Sequence, residues 1–254
     1  MKFARYMDDG MPAYGIVEDG ELYGAEGTPF SGLTKTERIG PLDDASLLVP
    51  VEPQKIVAIG LNYALHVTEN DPTRETPTEP VIFMKPTTAL LAHDEVIKLP
   101  AAERIDYEAE LCVVMGREAY RVSEEDALDF VLGYTCGNDV SHRDYQRKDG
   151  QWVRAKGFNT FAPLGPVIET DLDPNNVKIQ SRLNGEVKQD SHTRNLIFKC
   201  ETLIAAITDV MTLYPGDVIM TGTPEGVGPM VAGDTIEIEI EGIGVLRNTC
   251  ESRD

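Results

Sequence analysis

The chain has 254 residues, 41% hydrophobic and 26% charged, enough for one large globular domain or one domain with a small appendage. Its 43 acidic residues against 23 basic ones give a net charge of -20, which repels nucleic acid and anionic membranes and removes both from the expected partners. Four scattered cysteines with no CxxC pair, no apolar stretch after Lys2 and no run of about 18 apolar residues argue against a disulfide framework, a zinc spacing, a signal peptide and a membrane span, so the expected compartment is the reducing cytoplasm.

The acidity fits two readings, a surface adapted to high salt or an ordinary acidic cytosolic protein. Molar salt would screen the self-repulsion of an adapted surface, so its melting temperature should rise in molar KCl. An unchanged melting curve removes that reading.

In chain order, Phe3–Tyr6, Tyr14–Val17 and Glu21–Tyr23 are short strand candidates broken by Asp-Gly pairs. They make residues 1–50 a small N-terminal β domain that ends among Pro41, Pro50 and Pro53, and leave residues 51–254 as the main unit. Lys55–Gly60 reads as a buried strand. Residues 61–80 turn polar, with Pro72, Pro77 and Pro80, and read as a short helix followed by a loop long enough to suggest function. Val81–Lys85 and residues 106–115 are strands. Ser123-Glu124-Glu125-Asp126 is a relaxed capping box, which predicts a helix from there to near Gly133. Gly133–Cys136 is a strand, and Asn184-Gly185 predicts a type I′ hairpin. Residues 196–211 carry apolar residues at helical spacing and form the longest helix candidate. Asp217–Thr221 and Thr235–Glu241 are strands. Strands outnumber helices and do not alternate with them, which favours a β-rich mixed α/β fold over a doubly wound parallel sheet.

Two carboxylates stand out. Glu108 and Glu110 are two apart in an expected strand, so they share a face. Burying them together is costly unless a cation compensates. The same spacing in Glu237, Glu239 and Glu241 is benign, because Ile236, Ile238 and Ile240 give that strand one wet face. The strand behind Glu110 continues as Leu111-Cys112-Val113-Val114-Met115, apolar on both faces, so its carboxylates enter a region that excludes water. Asp139, directly after the Gly133–Cys136 strand, offers a third oxygen ligand. Three carboxylates without His or Cys favour Mg²⁺ or Mn²⁺ over zinc, with Arg143 and Lys156 the nearest cations in sequence. His66 and Glu69, three apart in the short helix, share a face and can act together on a proton.

The ordered motifs are Gly60-Leu61-Asn62-Tyr63-Ala64-x-His66-x-x-Glu69; Phe83-Met84-Lys85-Pro86; Asp106-Tyr107-Glu108-Ala109-Glu110-Leu111; Asn138-Asp139-Val140-Ser141-x-Arg143-Asp144; Gln151-Trp152-x-x-Ala155-Lys156-Gly157-Phe158; and Thr221-Gly222-Thr223-Pro224-x-Gly226-Val227-Gly228-Pro229. In these the chain resembles the fumarylacetoacetate hydrolase family over roughly residues 55–250. Its short N-terminal region looks like that of microbial members related to oxaloacetate decarboxylases, acylpyruvases and 2-hydroxyhepta-2,4-diene-1,7-dioate isomerases. Leu65 departs from the polar residue that many relatives carry before the histidine.

The resemblance implies a β-roll or mixed β-sandwich catalytic fold, usually a homodimer, and a small 2-oxo or 1,3-diketo acid as substrate. It implies Glu108, Glu110 and Asp139 as ligands of Mg²⁺ or Mn²⁺, and Lys156 as a catalytic or substrate-positioning group. Arg143, Gln146, Lys85 and Thr223 would meet the substrate, with the backbone N–H of Gly222 cradling a carboxylate. His66, oriented by Glu69, would take a proton from water, and residues 62–80 would form a lid. The expected activity is cleavage of a C–C bond through a metal-stabilised enolate, of the oxaloacetate decarboxylase or acylpyruvate hydrolase type. The alternatives are a diene-dioate isomerase and a catalytically silent ligand-binding homologue.

Overall fold

The computed structural model describes residues 1–69 and 71–253. The N-terminal region is a meander of β1 (Lys2–Asp8), β2 (Met11–Glu18), β3 (Glu21–Thr28) and β4 (Gly32–Pro41), one strand more than the sequence suggested. Then follow β5 (Ile56–Gly60), α1 (Ala64–Glu69), β6 (Val81–Lys85), β7 (Leu90–Leu91) and β8 (Val96–Leu99). The middle of the chain supplies β9 (Ile105–Tyr107), β10 (Ala109–Met115), β11 (Val131–Asn138), β12 (Ser141–His142), α2 (Arg143–Asp149), α3 (Val153–Lys156) and β13 (Ala162–Glu169). The last third holds β14 (Lys178–Leu183), β15 (Glu186–His192), α4 (Cys200–Val210), β16 (Val218–Met220), β17 (Gly228–Pro229), β18 (Thr235–Ile240) and β19 (Gly244–Ser252).

The largest sheet runs β4-β3-β2-β1-β13-β11-β10-β16-β5-β6, with β7 added beside β13. Pairing of Lys2 with Glu169 and Phe3 with Ile168 joins the N-terminal meander to the rest of this sheet. A second sheet, β15-β14-β18-β19-β8, lies over its centre. Strand β10 shows why the centre is dry. Leu111, Val113 and Met115 face the second sheet and α4, in a core with Ile179, Leu203, Ile204, Ile207, Ile236, Ile238 and Ile240. Cys112 and Val114 face the opposite core, with Phe3, Ile56, Ala58, Val218 and Met220. A strand buried on both faces reads as a continuous apolar run, which is the sequence of β10. The β-rich mixed α/β reading therefore holds.

Local readings divide by their physical origin. The hairpin between β14 and β15 turns on Asn184 at φ 53° and Gly185 at φ 80°, both left-handed as a type I′ turn requires. The helix expected from Ser123 does not form. The Ser123 hydroxyl donates to Asp126 and accepts from its backbone N–H, closing a local turn, and only a short 3₁₀ segment at Ala127–Phe130 precedes β11. The helix expected over 196–211 begins at Cys200, because Leu196 bridges to Tyr63 and the Ile197 N–H is spent on the Asn62 carbonyl. No helix among the described residues is long and apolar enough to cross a membrane.

Candidate metal centre and active site

Residues 106–115 do not form one strand. Glu108 sits at the break between β9, which belongs to a small sheet with β12 and β17, and β10, which belongs to the large one. The shared-face argument from a continuous strand is thus replaced by a joint. The Glu108 N–H is held by the Asn138 side chain, and the Ala109 N–H by the buried Gln189 side chain. Asp139 enters from the end of β11, where its N–H donates to the Glu108 carbonyl. Oxygens of Glu108, Glu110 and Asp139 converge within 4.8 Å of one another, and all three residues are buried.

Cations surround this cluster unevenly. The Lys156 Nζ donates to Glu108 Oε2 at 2.8 Å and to Asp139 Oδ2 at 2.6 Å. Lys85, fully buried at the end of β6, donates to Asp139 Oδ1 and to the Val140 carbonyl. Arg143 is spent on three partners: Asp106 at 2.7 Å, Glu108 at 2.6 Å and the side-chain oxygen Oε1 of Gln146 at 2.8 Å. Glu110 receives only the Gly222 N–H, at 2.7 Å, and no cationic side chain among the described residues pairs with it.

The protonation states follow. Burial opposes ionisation of Glu108, but Lys156 and Arg143 outweigh it and hold that carboxyl well below the usual range. Burial and the adjacent Asp139 and Glu108 charges push Glu110 well above it. Burial opposes the charge on Lys156, and Asp139 and Glu108 overcome it and raise its pKa. Burial lowers Lys85 despite Asp139. A water-excluded carboxylate beside two others, with no cation of its own, fits a hard divalent ion in an all-oxygen donor set.

The cluster forms the inner wall of a cavity of about 400 Å³. His66, Arg143, Gln146, Lys156 and Thr223 also line it. The His66 Nδ1 lies 2.9 Å from Glu69 Oε2, and the other oxygen of Glu69 accepts the Gly226 N–H at 2.7 Å. Glu69 is therefore anchored at one end and orients the imidazole at the other. Burial opposes its ionisation, and these two hydrogen bonds keep its carboxyl below the usual value.

Thr223 acts through a partner that the sequence reading missed. Gln189 donates to Thr223 Oγ1 at 2.8 Å and to the Pro224 carbonyl, while its own oxygen is fixed by the Ala109 N–H. The Thr223 hydroxyl accepts from Gln189, so its proton is left to donate into the cavity.

Two expected substrate contacts are placed elsewhere. Lys85 stands behind Asp139 and does not line the cavity. The Gly222 N–H, expected to cradle a substrate carboxylate, holds Glu110 instead. Gly222 makes that turn at φ 101°, and a Cβ there would lie 2.7 Å from the Asn62 Cβ. His142 is buried and stacks against the rings of Tyr145 and Phe158. Asp106 was also missed as a site residue. Its signal was present, since Asp106, Glu108 and Glu110 continue one alternation.

Asp71 and Arg74 line the cavity, which makes part of the 62–80 segment a wall of the site; Asn70 lies outside the described residues. A segment that closes over a bound acid should be cut by protease more slowly when Mg²⁺ and oxalate are present. Equal cleavage rates with and without them would remove the lid.

Comparison with known proteins bears on the same residues. The model of the fumarylacetoacetate (FAA) hydrolase C-terminal family matches residues 55–251, and that of the Rv2993c-like N-terminal family matches residues 1–50. The mitochondrial oxaloacetate tautomerase Fahd2a of Rattus norvegicus is 41% identical over 221 residues, covering 82% of this chain and 70% of that protein. The crystal structure of 5-carboxymethyl-2-hydroxymuconate delta-isomerase from Mycobacterium smegmatis is 46% identical, with a TM-score of 0.91 and 100% of both chains covered. That of maleylpyruvate hydrolase from Sphingobium is 32% identical, with a TM-score of 0.82 and the same full coverage.

Proposed function

The chain belongs to the fumarylacetoacetate hydrolase family, and from that premise we propose a divalent-metal-dependent enzyme that cleaves a C–C bond of a small 2-oxo or 1,3-diketo acid. The observation that carries the reading is Glu110, a buried carboxylate without a cationic partner among the described residues, beside Glu108 and Asp139 in the wall of a cavity that also presents Lys156 and His66. Glu108, Glu110 and Asp139 would hold Mg²⁺ or Mn²⁺. When bound, the ion supplies Lewis-acid stabilisation of the negative charge that develops on the keto oxygen during enolate formation.

The protein's own groups do the rest. Lys156 keeps its ammonium proton against burial and presents a fixed positive charge to a substrate oxygen. The Thr223 hydroxyl donates to the substrate carboxylate, and Gln146, fixed by Arg143, bounds the same space. His66, held at Nδ1 by Glu69, has its other ring nitrogen available to take a proton from water or to return one to carbon.

The deciding assay follows the purified protein, loaded with Mg²⁺ or Mn²⁺, against oxaloacetate, acetylpyruvate and fumarylpyruvate. Release of pyruvate from any of them supports cleavage, and turnover of none sinks it. A second reading has its own support in the tautomerase and isomerase names of the relatives above. An enolate that collects a proton at carbon instead of losing a fragment gives keto–enol interconversion, which needs His66 but no nucleophilic water.

His66→Ala separates the two. Loss of a positioned general base costs on the order of 10²–10⁴-fold. The loss should fall on acetylpyruvate hydrolysis and largely spare oxaloacetate decarboxylation, since only hydrolysis needs activated water. Equal losses would assign His66 to general proton transfer, as the second reading requires.

A further inference from the structure

The outer part of the cavity carries a chemistry that the metal centre does not use. Its lining includes four arginines, Arg74, Arg104, Arg143 and Arg147, against one acidic residue outside the inner cluster and its Asp106 neighbour, namely Asp71. Arg143 spends all three of its nitrogens on Asp106, Gln146 and Glu108. Arg147 already carries a carboxylate, Asp144, on one terminal nitrogen at 2.9 Å. Among the described residues, Arg74 and Arg104 keep both terminal nitrogens in hand.

Arg104 donates through Nε alone, to Asp106 at 2.7 Å, and its two terminal nitrogens have no hydrogen-bond partner among the described residues. Asp106 thus sets two guanidinium groups side by side, since its second oxygen takes Arg143. The Arg74 guanidinium, on the 62–80 segment, has no side-chain partner among the described residues, and it is exposed at the cavity. Asp71 makes no ion pair with it; one oxygen of that carboxylate takes both the Thr73 hydroxyl and its N–H, at 2.7 and 3.0 Å.

Guanidinium forks with spare parallel donors match a carboxylate in a bidentate way, which a water-lined apolar wall would not. We propose that Arg74 and Arg104 form a clamp for a second carboxylate, so that the site selects 2-oxo dicarboxylic acids over 2-oxo monoacids. This rests on the reading that the 2-oxo acid head sits at Glu108, Glu110 and Asp139. The clamp is a specificity device: its arginines touch the far end of the substrate and take no part in the reaction.

The test uses a matched pair of stable probes, 2-oxoglutarate and 2-oxopentanoate, which share the 2-oxo acid head and the carbon count and differ in the distal carboxylate. Calorimetry on the Mg²⁺-loaded protein should show 2-oxoglutarate bound at least about tenfold more tightly, the size of one charge-assisted contact. Arg74→Ala and Arg104→Gln should each reduce that preference while leaving 2-oxopentanoate affinity unchanged. Arg74→Lys should restore part of it, since the charge remains and the fork is lost. No preference in the wild-type protein, a preference that survives both substitutions, or equal weakening of both probes would overturn the clamp. Failure of the functional reading is distinguishable: the probes would bind as stated, and oxaloacetate, acetylpyruvate and fumarylpyruvate would all go unturned.

Discussion

Glu110→Gln should abolish Mg²⁺ binding and turnover, and at the same time raise the melting temperature of the metal-free protein. The two effects share a cause. Glu110 is buried, faces Glu108 and Asp139, and pairs with no cationic side chain among the described residues. Its charge is therefore useful to a divalent ion and a burden without one. Glutamine keeps the shape and the acceptor for the Gly222 N–H but removes the charge. Losing one of three carboxylates from a hard-ion site removes several kcal/mol of transition-state stabilisation, on the order of 10³-fold or more in rate. The stability gain should read as a few degrees, since each kcal/mol moves the melting point of a chain this size by about 2–4 °C. A variant that still binds Mg²⁺, or one that loses stability when metal-free, means Glu110 is a structural carboxylate.

The same residue gives the pH dependence its sign. Folding raises the Glu110 pKa, so the folded metal-free state binds more protons than the unfolded chain between the ordinary glutamate value, about 4.3, and the raised one. Stability contributed by this group is full below that window and is lost as pH rises through it. Glu108 behaves oppositely: its lowered carboxyl contributes stability above the ordinary value that is lost as pH falls through the folded one. Metal binding must displace the Glu110 proton. Calorimetric titration with Mg²⁺ in two buffers of different ionisation enthalpy should therefore show proton release, and Glu110→Gln should show none.

How far the site could be read in advance depended on whether a contact is local. The carboxylates of Glu108 and Glu110 were legible because an acidic pair followed by the apolar run Leu111–Met115 is a local contradiction, whereas Asp139 was reached only as a third oxygen needed to complete the set. The geometric reason offered for them was incomplete, since a strand break at Glu108 was hidden in a segment with unbroken strand character. The Asn184-Gly185 hairpin was legible for the same local reason, and the Ser123 turn was misread because capping-box residues also close turns. Lys85, Asp106, Gln189 and Arg104 act through partners 54, 37, 80 and 2 residues away, in the order Asp139, Arg143, Ala109 and Asp106. Three of these depend on sheet topology, which no periodicity encodes. The fourth, Arg104 to Asp106, is local in sequence, yet its importance appears only once Arg143 is brought to the other oxygen of Asp106.

Lys156→Met should move stability the other way from Glu110→Gln while costing activity in the same direction. Lys156 is 2% exposed and its ammonium bridges Glu108 and Asp139, so removing it strands two buried carboxylates with only Arg143 and Lys85 to share them. Breaking a buried pair of this kind costs about 3–5 kcal/mol, or about 6–20 °C for a chain of this size. Methionine fills most of the volume, so the loss is electrostatic rather than a cavity effect. The surplus negative charge should then attract a divalent ion more strongly, and Mg²⁺ at a hundred times its Kd returns about 2.7 kcal/mol. Turnover should stay low, by on the order of 10²–10³-fold, because the fixed charge at the substrate oxygen is gone whether or not the ion is present. The contrast between the two variants is the discriminating result. Opposite shifts in metal-free melting temperature, with activity lost in both, place Lys156 as the built-in partner of Glu108 and Asp139 and leave Glu110 as the charge kept for the ion. Two shifts of the same sign would mean that the cations and carboxylates of this cluster form one balanced structural network.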